Sequence, residues 1–202
     1  MNTGAAKEIL EFWFGEKELG LHYPKTQSEI WFRNGKAYDK IITQRFGKLH
    51  QQTYENKLNH WQQQPLTSLA LVILLDQFSR HIYRETARAF AQDKQAQQLV
   101  FEGIKKGYDK KLLPAQRVFY YLPLEHAEDR EVQIQSVAAF TALIDSLPEA
   151  IRHEYASTLN FAIRHKEVID RFGRFPDLNA ILGRKSTAEE IEFLTQPGSS
   201  FL

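Results

Sequence analysis

Apolar residues recur at helical spacing along nearly the whole chain. Ala5 to Phe14 sets Ile9, Leu10, Trp13 and Phe14 on one side, and Gly15 follows as a stop signal. Ser28 reads as the cap of a short turn holding Ile30, Trp31 and Phe32. Tyr38, Ile41, Ile42 and Phe46 keep the same spacing up to Gly47, and the glutamine-rich stretch from Leu49 to Trp61 predicts a solvated helix. Pro65 then opens a strongly apolar helix from Leu66 to about Tyr83.

Downstream the pattern continues. Asp93 predicts the N-cap of a helix ending near Gly107. Pro114 to Tyr121 reads as a short helix broken at Pro123. Glu131 to Leu147 carries Ile134, Val137, Phe140, Ile144 and Leu147 at helical intervals, and Pro148 punctuates it. Glu149 to Phe172 is the longest helical reading, and Ser186 with Glu189 fits a capping box for a last helix. No segment alternates as a half-buried strand does. The expected fold is all-α: one domain over residues 1–202, about nine or ten helices in antiparallel hairpins. A tetratricopeptide-like stack of helix pairs suits this pattern, but no self-similar W-L-G-Y repeat is present.

Composition narrows the function classes. With 26 basic and 25 acidic residues the net charge is +1, which lacks the basic excess of a general nucleic-acid or membrane-surface binder. There are no cysteines, so disulfides, thiolate metal sites and a cysteine nucleophile are excluded. The longest apolar run, Leu69 to Leu75, is seven residues, against about 20 for a membrane span. The first residues lack the basic and apolar regions of a signal peptide, so a cytoplasmic location is expected. No phosphate loop, dinucleotide fingerprint or nucleophile elbow occurs, and no cofactor or metal is expected.

Four constellations remain. In "LLDQFSRHIYRETARAF" an apolar helix runs into Asp76, Gln77, Arg80, His81 and Arg84. Asp76 and Arg80 share a face, either as a helix-end ion pair or as part of a ligand-facing row with Arg84. In "YLPLEHAED", Glu125 and His126 suit an acid–base pair or hard-metal ligands, and Asp129, three residues on, could orient His126. The alternative is a solvated helix start. His165 shares a stripe with Phe161, Val168 and Phe172, which suits a hydrogen-bonded core histidine or a site residue.

The fourth is "RFGRFPDLNAILGRKST". Gly173 reads as a left-handed C-cap, Pro176 forces Phe175 out of helical geometry, and Gly183 marks a second bend. Arg171, Arg174 and Arg184 hang from this rigid backbone with Asn179 between them. From 164 to 185 six basic residues face three acids, a local charge of +3. Such arginines suit either carboxylate or phosphate recognition or the capping of helices and pairing with core acids.

These stretches, with "EILEFWFG" near the start and "PGSSF" near the end, resemble the bacterial family of unknown function DUF924 in the same order and over nearly the whole chain. The resemblance implies an all-helical fold grouped with tetratricopeptide-like hairpins, and it carries no assigned activity. Ser79 and His81 stand where proline and asparagine are usual in that family, and Asp177 and Leu178 where histidine and arginine are usual. This argues against a catalytic or metal-binding role at His81, Asp177 or Leu178.

Three functions fit. The first is binding of a small anionic ligand or peptide through Arg80, Tyr83, Arg84, Arg174, Asn179 and Arg184. The second is an enzyme, a hydrolase among the options, with His126 or His165 as base, oriented by Glu125, Asp129 or Asp76. The third is a structural ion network with no ligand. Oligomeric state is open, and neither nucleic acid nor membrane is an expected partner.

Overall fold

In the computed structural model, residues 3–15, 19–28, 30–31 and 35–201 are described. Among them every regular element is helical. α1 (Thr3–Phe14) buries Ala6, Ile9, Trp13 and Phe14 and stops at Gly15, whose φ of +91° is the left-handed geometry expected of a terminal glycine. α2 (Lys25–Ser28) is one turn. Ser28 Oγ donates to the Lys25 carbonyl at 2.7 Å, which closes that turn. Phe32 lies outside the described residues.

α3 (Gly35–Tyr54) runs straight through Gly47. The apolar stripe of Ile42 and Phe46 is carried on by His50 and Thr53, both buried, at helical spacing. Thr53 Oγ1 donates to the His50 carbonyl, Gln92 Nε2 donates to Thr53 Oγ1, and His50 Nε2 lies 2.7 Å from Ser79 Oγ, while His50 Nδ1 is buried with no hydrogen-bond partner. The expected solvated helix therefore has a buried face, and after a turn Leu58 and Trp61 are buried as well.

The chain's central element begins at Pro65. α4 (Pro65–Val72), a π-helical segment (Ile73–Phe78) and α5 (Ser79–Ile82) follow one another with no break in right-handed dihedrals. Leu69 to Leu75 is wholly buried, as a run apolar on all sides requires. This element packs against α1, α3, α6 (Asp93–Lys105) and α7 (Pro114–Glu125). Asp93 is the first residue of α6 and makes no cap; Gln92 holds the cap position. α7 includes Pro123, because a proline near the last turn removes one backbone bond, with little helix left to disturb.

α8 (Arg130–Asp145) and α9 (Glu149–Phe172) pack along their lengths, joined by residues 146–148. Ile134 and Phe161 are 49% and 48% exposed, so neither belongs to the core that the spacing suggested. α10 (Ala188–Leu194) is capped by Thr187 and Glu190, one residue later than the Ser186–Glu189 reading. A main core joins α1 and α3 through α9, and a smaller one of Val168, Ile169 and Phe175 seats the C-terminal turns.

Candidate functional site

The wide turn of the π segment carries Asp76. Such turns insert one extra residue into a helix and recur at functional sites. Here it sets a carboxylate that is 0% exposed beside three donors. His126 Nδ1 lies 2.8 Å from Oδ1, Arg80 Nη1 lies 3.1 Å from the same oxygen, and Gln77 Nε2 donates to Oδ2 at 2.6 Å. Burial works against this charge, but Arg80 and His126 outweigh it and hold Asp76 below the ordinary carboxylate range. Arg80 also donates both Nη atoms to Asp93, each at 3.0 Å. Two carboxylates thus share one guanidinium.

The other half of the site is the end of α7. Glu125 is the helix's last residue and His126 its C-cap. Gln133 of α8, fully buried, donates Nε2 to the carbonyls of Glu125 and Ala127 at 2.6 and 2.8 Å, which fixes this terminus. Asp129 does not orient His126. It caps α8 by accepting from Val132 N, and Asp76 takes the orienting role from fifty positions away in sequence.

α9 brings His165 to the same place, with its ring 6.2 Å from that of His126. His165 Nδ1 lies 2.8 Å from the Phe161 carbonyl, which accepts its proton, and 3.3 Å from Glu125 Oε1. Burial lowers His165 to about 3, so its ring is neutral. Burial, with the Asp76 charge adding to it, pushes Glu125 up to about 8, so its carboxyl is protonated at neutral pH. Phe201 stacks on His165 at 3.7 Å.

Arg80, Glu125, His126 and His165 line one cavity of about 820 Å³, with Phe140, Phe161, Phe175 and Phe201 among its walls. Asp76 sits just behind, through His126. Arg84 and His81 line it too, from the α3 side. Arg84 grips Asp39 through Nε and Nη2 at 2.5 and 2.7 Å, and His81 Nδ1 lies 2.7 Å from the same carboxylate. Asp39 and Asp93 escaped the sequence reading. Asp93 looked like a cap, and Asp39 has no local signal, being a single acid in an amphipathic helix.

Four expected ligand contacts lie elsewhere. Tyr83 packs its ring against His50 at 5.4 Å, with Arg88 4.1 Å above it, outside the cavity lining. Arg184 makes a fork to Glu128 at 2.6 and 2.9 Å and also donates to Asn179 Oδ1 and the Phe175 carbonyl. Arg174 makes a second fork, to Glu190, at 2.6 and 2.8 Å, and Asn179 Nδ2 donates to Glu190 Oε2 at 3.2 Å. The Arg174 fork, against opposing burial, holds Glu190 down at about 2. Gly173 and Gly183 take φ of +71° and +66°, so the two bends are as expected. This corner presents Phe175, Asp177 and Leu178 to the cavity and keeps Arg174, Asn179 and Arg184 on internal partners.

Among the described residues no group of three His, Cys, Asp or Glu side chains is placed to hold a metal ion. No helix among them is long and apolar enough to cross a membrane.

Comparison with known proteins agrees with this architecture. A family model described as "Bacterial protein of unknown function (DUF924)" matches residues 9–198. A solved structure of a protein of unknown function from Agrobacterium tumefaciens is similar at 32% identity, with a TM-score of 0.81, covering 96% of this chain and 98% of that one. No curated protein matches.

Proposed function

The chain belongs to the DUF924 family, whose function is unknown, and from its own side chains we propose that the cavity is an active site for acid–base chemistry on a small molecule, with His126 as the base. The observation that carries this is the 2.8 Å contact between Asp76 Oδ1 and His126 Nδ1 behind a cavity that His126 lines. An ionised carboxylate at Nδ1 holds the N–H there, so Nε2 is left as the nitrogen that accepts a proton. It also stabilises the imidazolium that forms. Asp76 is a positioning residue, fixed in turn by Arg80 and Gln77.

His126 takes a proton from a bound water or substrate and, as the imidazolium, returns it to the leaving group. Glu125 reaches the same cavity. Hydrolysis of a small substrate fits this cycle. By contrast, Arg80 and Arg84 direct their guanidinium forks at Asp93 and Asp39. That weakens the case for an arginine-lined anion cleft.

The test is a substrate screen read against His126→Gln. For a true substrate, the variant loses roughly 10²–10⁴-fold in turnover, and Asp76→Asn loses turnover with little change in KM. A substrate that His126→Gln turns over at the wild-type rate would remove His126 from the chemistry.

A further inference from the structure

We propose that the cavity takes a small organic cation, an amidine, guanidine or amine, whose charge sits against Glu125. This rests on the active-site reading for its choice of cavity and adds the class of ligand.

Glu125 differs from the buried acids around it in its partners. Asp76 has Arg80, and Glu190 has Arg174. The Glu125 carboxyl is 5% exposed, and its close polar neighbour is His165 Nδ1 at 3.3 Å, whose proton is directed to the Phe161 carbonyl. A buried carboxyl without a cation partner is costly to ionise. Here it lines an open cavity, so the missing partner can arrive with a ligand. The walls suit that partner. Tyr23, Phe140, Phe161 and Phe175 line the cavity, and aromatic faces attract organic cations.

The charges facing Glu125 point the same way. The segments before and after Phe78 contribute Asp76 and Arg80, and α6 contributes Asp93, so one guanidinium is set against two carboxylates. α7 adds His126, α9 adds the neutral His165, α8 adds the uncharged Gln133, and Asp177 lines the cavity from the C-terminal corner. Lys36 and Arg84 also line the cavity, but Glu85 pairs with the first at 3.2 Å and Asp39 with the second, so Glu125 is left as a buried lining carboxyl for a cation to complete.

Ligand binding is then coupled to a proton. The empty site holds Glu125 protonated, because burial and the Asp76 charge push it up to about 8. A cation seated against it drives ionisation, so binding releases one proton. Below pH 8 affinity therefore rises with pH, approaching roughly tenfold per unit, and it levels off above.

Isothermal titration calorimetry with benzamidine, benzamide and benzoate tests this, since the three share a shape and differ in charge. Run in buffers of differing ionisation enthalpy, it also counts protons. Benzamidine is expected to bind roughly tenfold or more tighter than either of the others, with release of close to one proton at pH 7. Glu125→Gln, which imitates the protonated acid, is expected to lose both the preference and the release. Benzoate or benzamide binding as tightly as benzamidine, benzamidine binding without proton release, or no benzamidine binding at all overturns the proposal. The wild-type proton count stands even if the variant fails to fold. His126→Gln separates the two readings. It should keep benzamidine binding and lose turnover. Lost turnover without a cation preference sinks this proposal alone, and a cation preference with turnover intact sinks only the assignment of His126.

Discussion

Asp76 Oδ1 lies 2.8 Å from His126 Nδ1, across two helices that meet only in the folded chain. The contact depends on two local irregularities. The π turn places Asp76, and the end of α7 places His126 as a C-cap. In a regular α-helix through residue 76 the carboxylate would take a different azimuth. The extra residue per turn is thus a structural cost tied to the site.

Nitrogen-15 NMR of histidine-labelled protein should show His126 as the tautomer protonated at Nδ1. In Asp76→Asn that preference should weaken, because a carboxamide can present a donor as well as an acceptor. The variant also leaves Arg80 with one carboxylate fewer inside the protein. Breaking a buried pair so as to leave one charge alone costs about 3–5 kcal/mol; Arg80 keeps Asp93, so a smaller loss is expected, readable by urea denaturation. An unchanged tautomer in Asp76→Asn would mean that something other than Asp76 fixes the ring.

Glu125 sets a pH signature in stability. Its folded proton affinity is raised, from 4.5 to about 8. Between those values the unfolded chain has lost the proton and the folded chain keeps it. The unfolded state binds fewer protons, so this residue makes stability fall as pH rises from 4.5 to about 8, by at most roughly 1.4 kcal/mol per unit. Glu125→Gln should be more stable than wild type over that window, with the gap widening toward pH 8 and closing below 4.5. Parallel stability curves for the two proteins would show that Glu125 ionises freely in the folded state.

Much of this molecule was legible from residue spacing. The longest helix and the Gly173 bend stand where periodicity and punctuation put them, whereas Pro123, read as a break, lies inside α7, which runs on to Glu125. Partner choice was not legible, because it lies between elements. Asp39 reaches Arg84 across 45 positions, and Glu128 reaches Arg184 across 56. The π turn left no mark either, since its residues are uniformly apolar up to Asp76 and fit any helix period. The glutamine-rich end of α3 misled because His50 and Thr53 are buried through hydrogen bonds, which hydropathy does not register.

Gly103 is where α6 approaches α7. A Cβ added there would lie 1.7 Å from Tyr120 Oη, which is itself within hydrogen-bond reach of Ser68 Oγ at 2.9 Å. The Tyr120 ring is fully buried, so it can yield only by shifting its packed neighbours. Gly103→Ala should therefore destabilise by about 1–3 kcal/mol despite alanine's better helix propensity. Thermal denaturation showing a stabilised variant would mean that the two helices separate more easily than their packing suggests.

The last prediction concerns the arginine-rich corner. Arg184 is the hub of it: it forks Glu128 and donates to Asn179 Oδ1 and the Phe175 carbonyl, while Glu128 Oε1 also accepts from Phe175 N at 2.7 Å. Phe175 in turn packs on His165, 5.4 Å between rings. The fork thus fixes the cavity wall from behind, with both side chains about a quarter exposed. Glu128→Gln, Arg184→Met and their combination form a double-mutant cycle with an expected coupling of about 0.5–3 kcal/mol. The same variants should weaken any ligand of the cavity through Phe175, without altering which charge it prefers, because neither side chain lines the cavity. If Arg184→Met left stability intact and abolished ligand binding outright, Arg184 would be a ligand contact and not a support. Retained binding with lowered stability confirms that the corner's arginines meet side chains of their own protein.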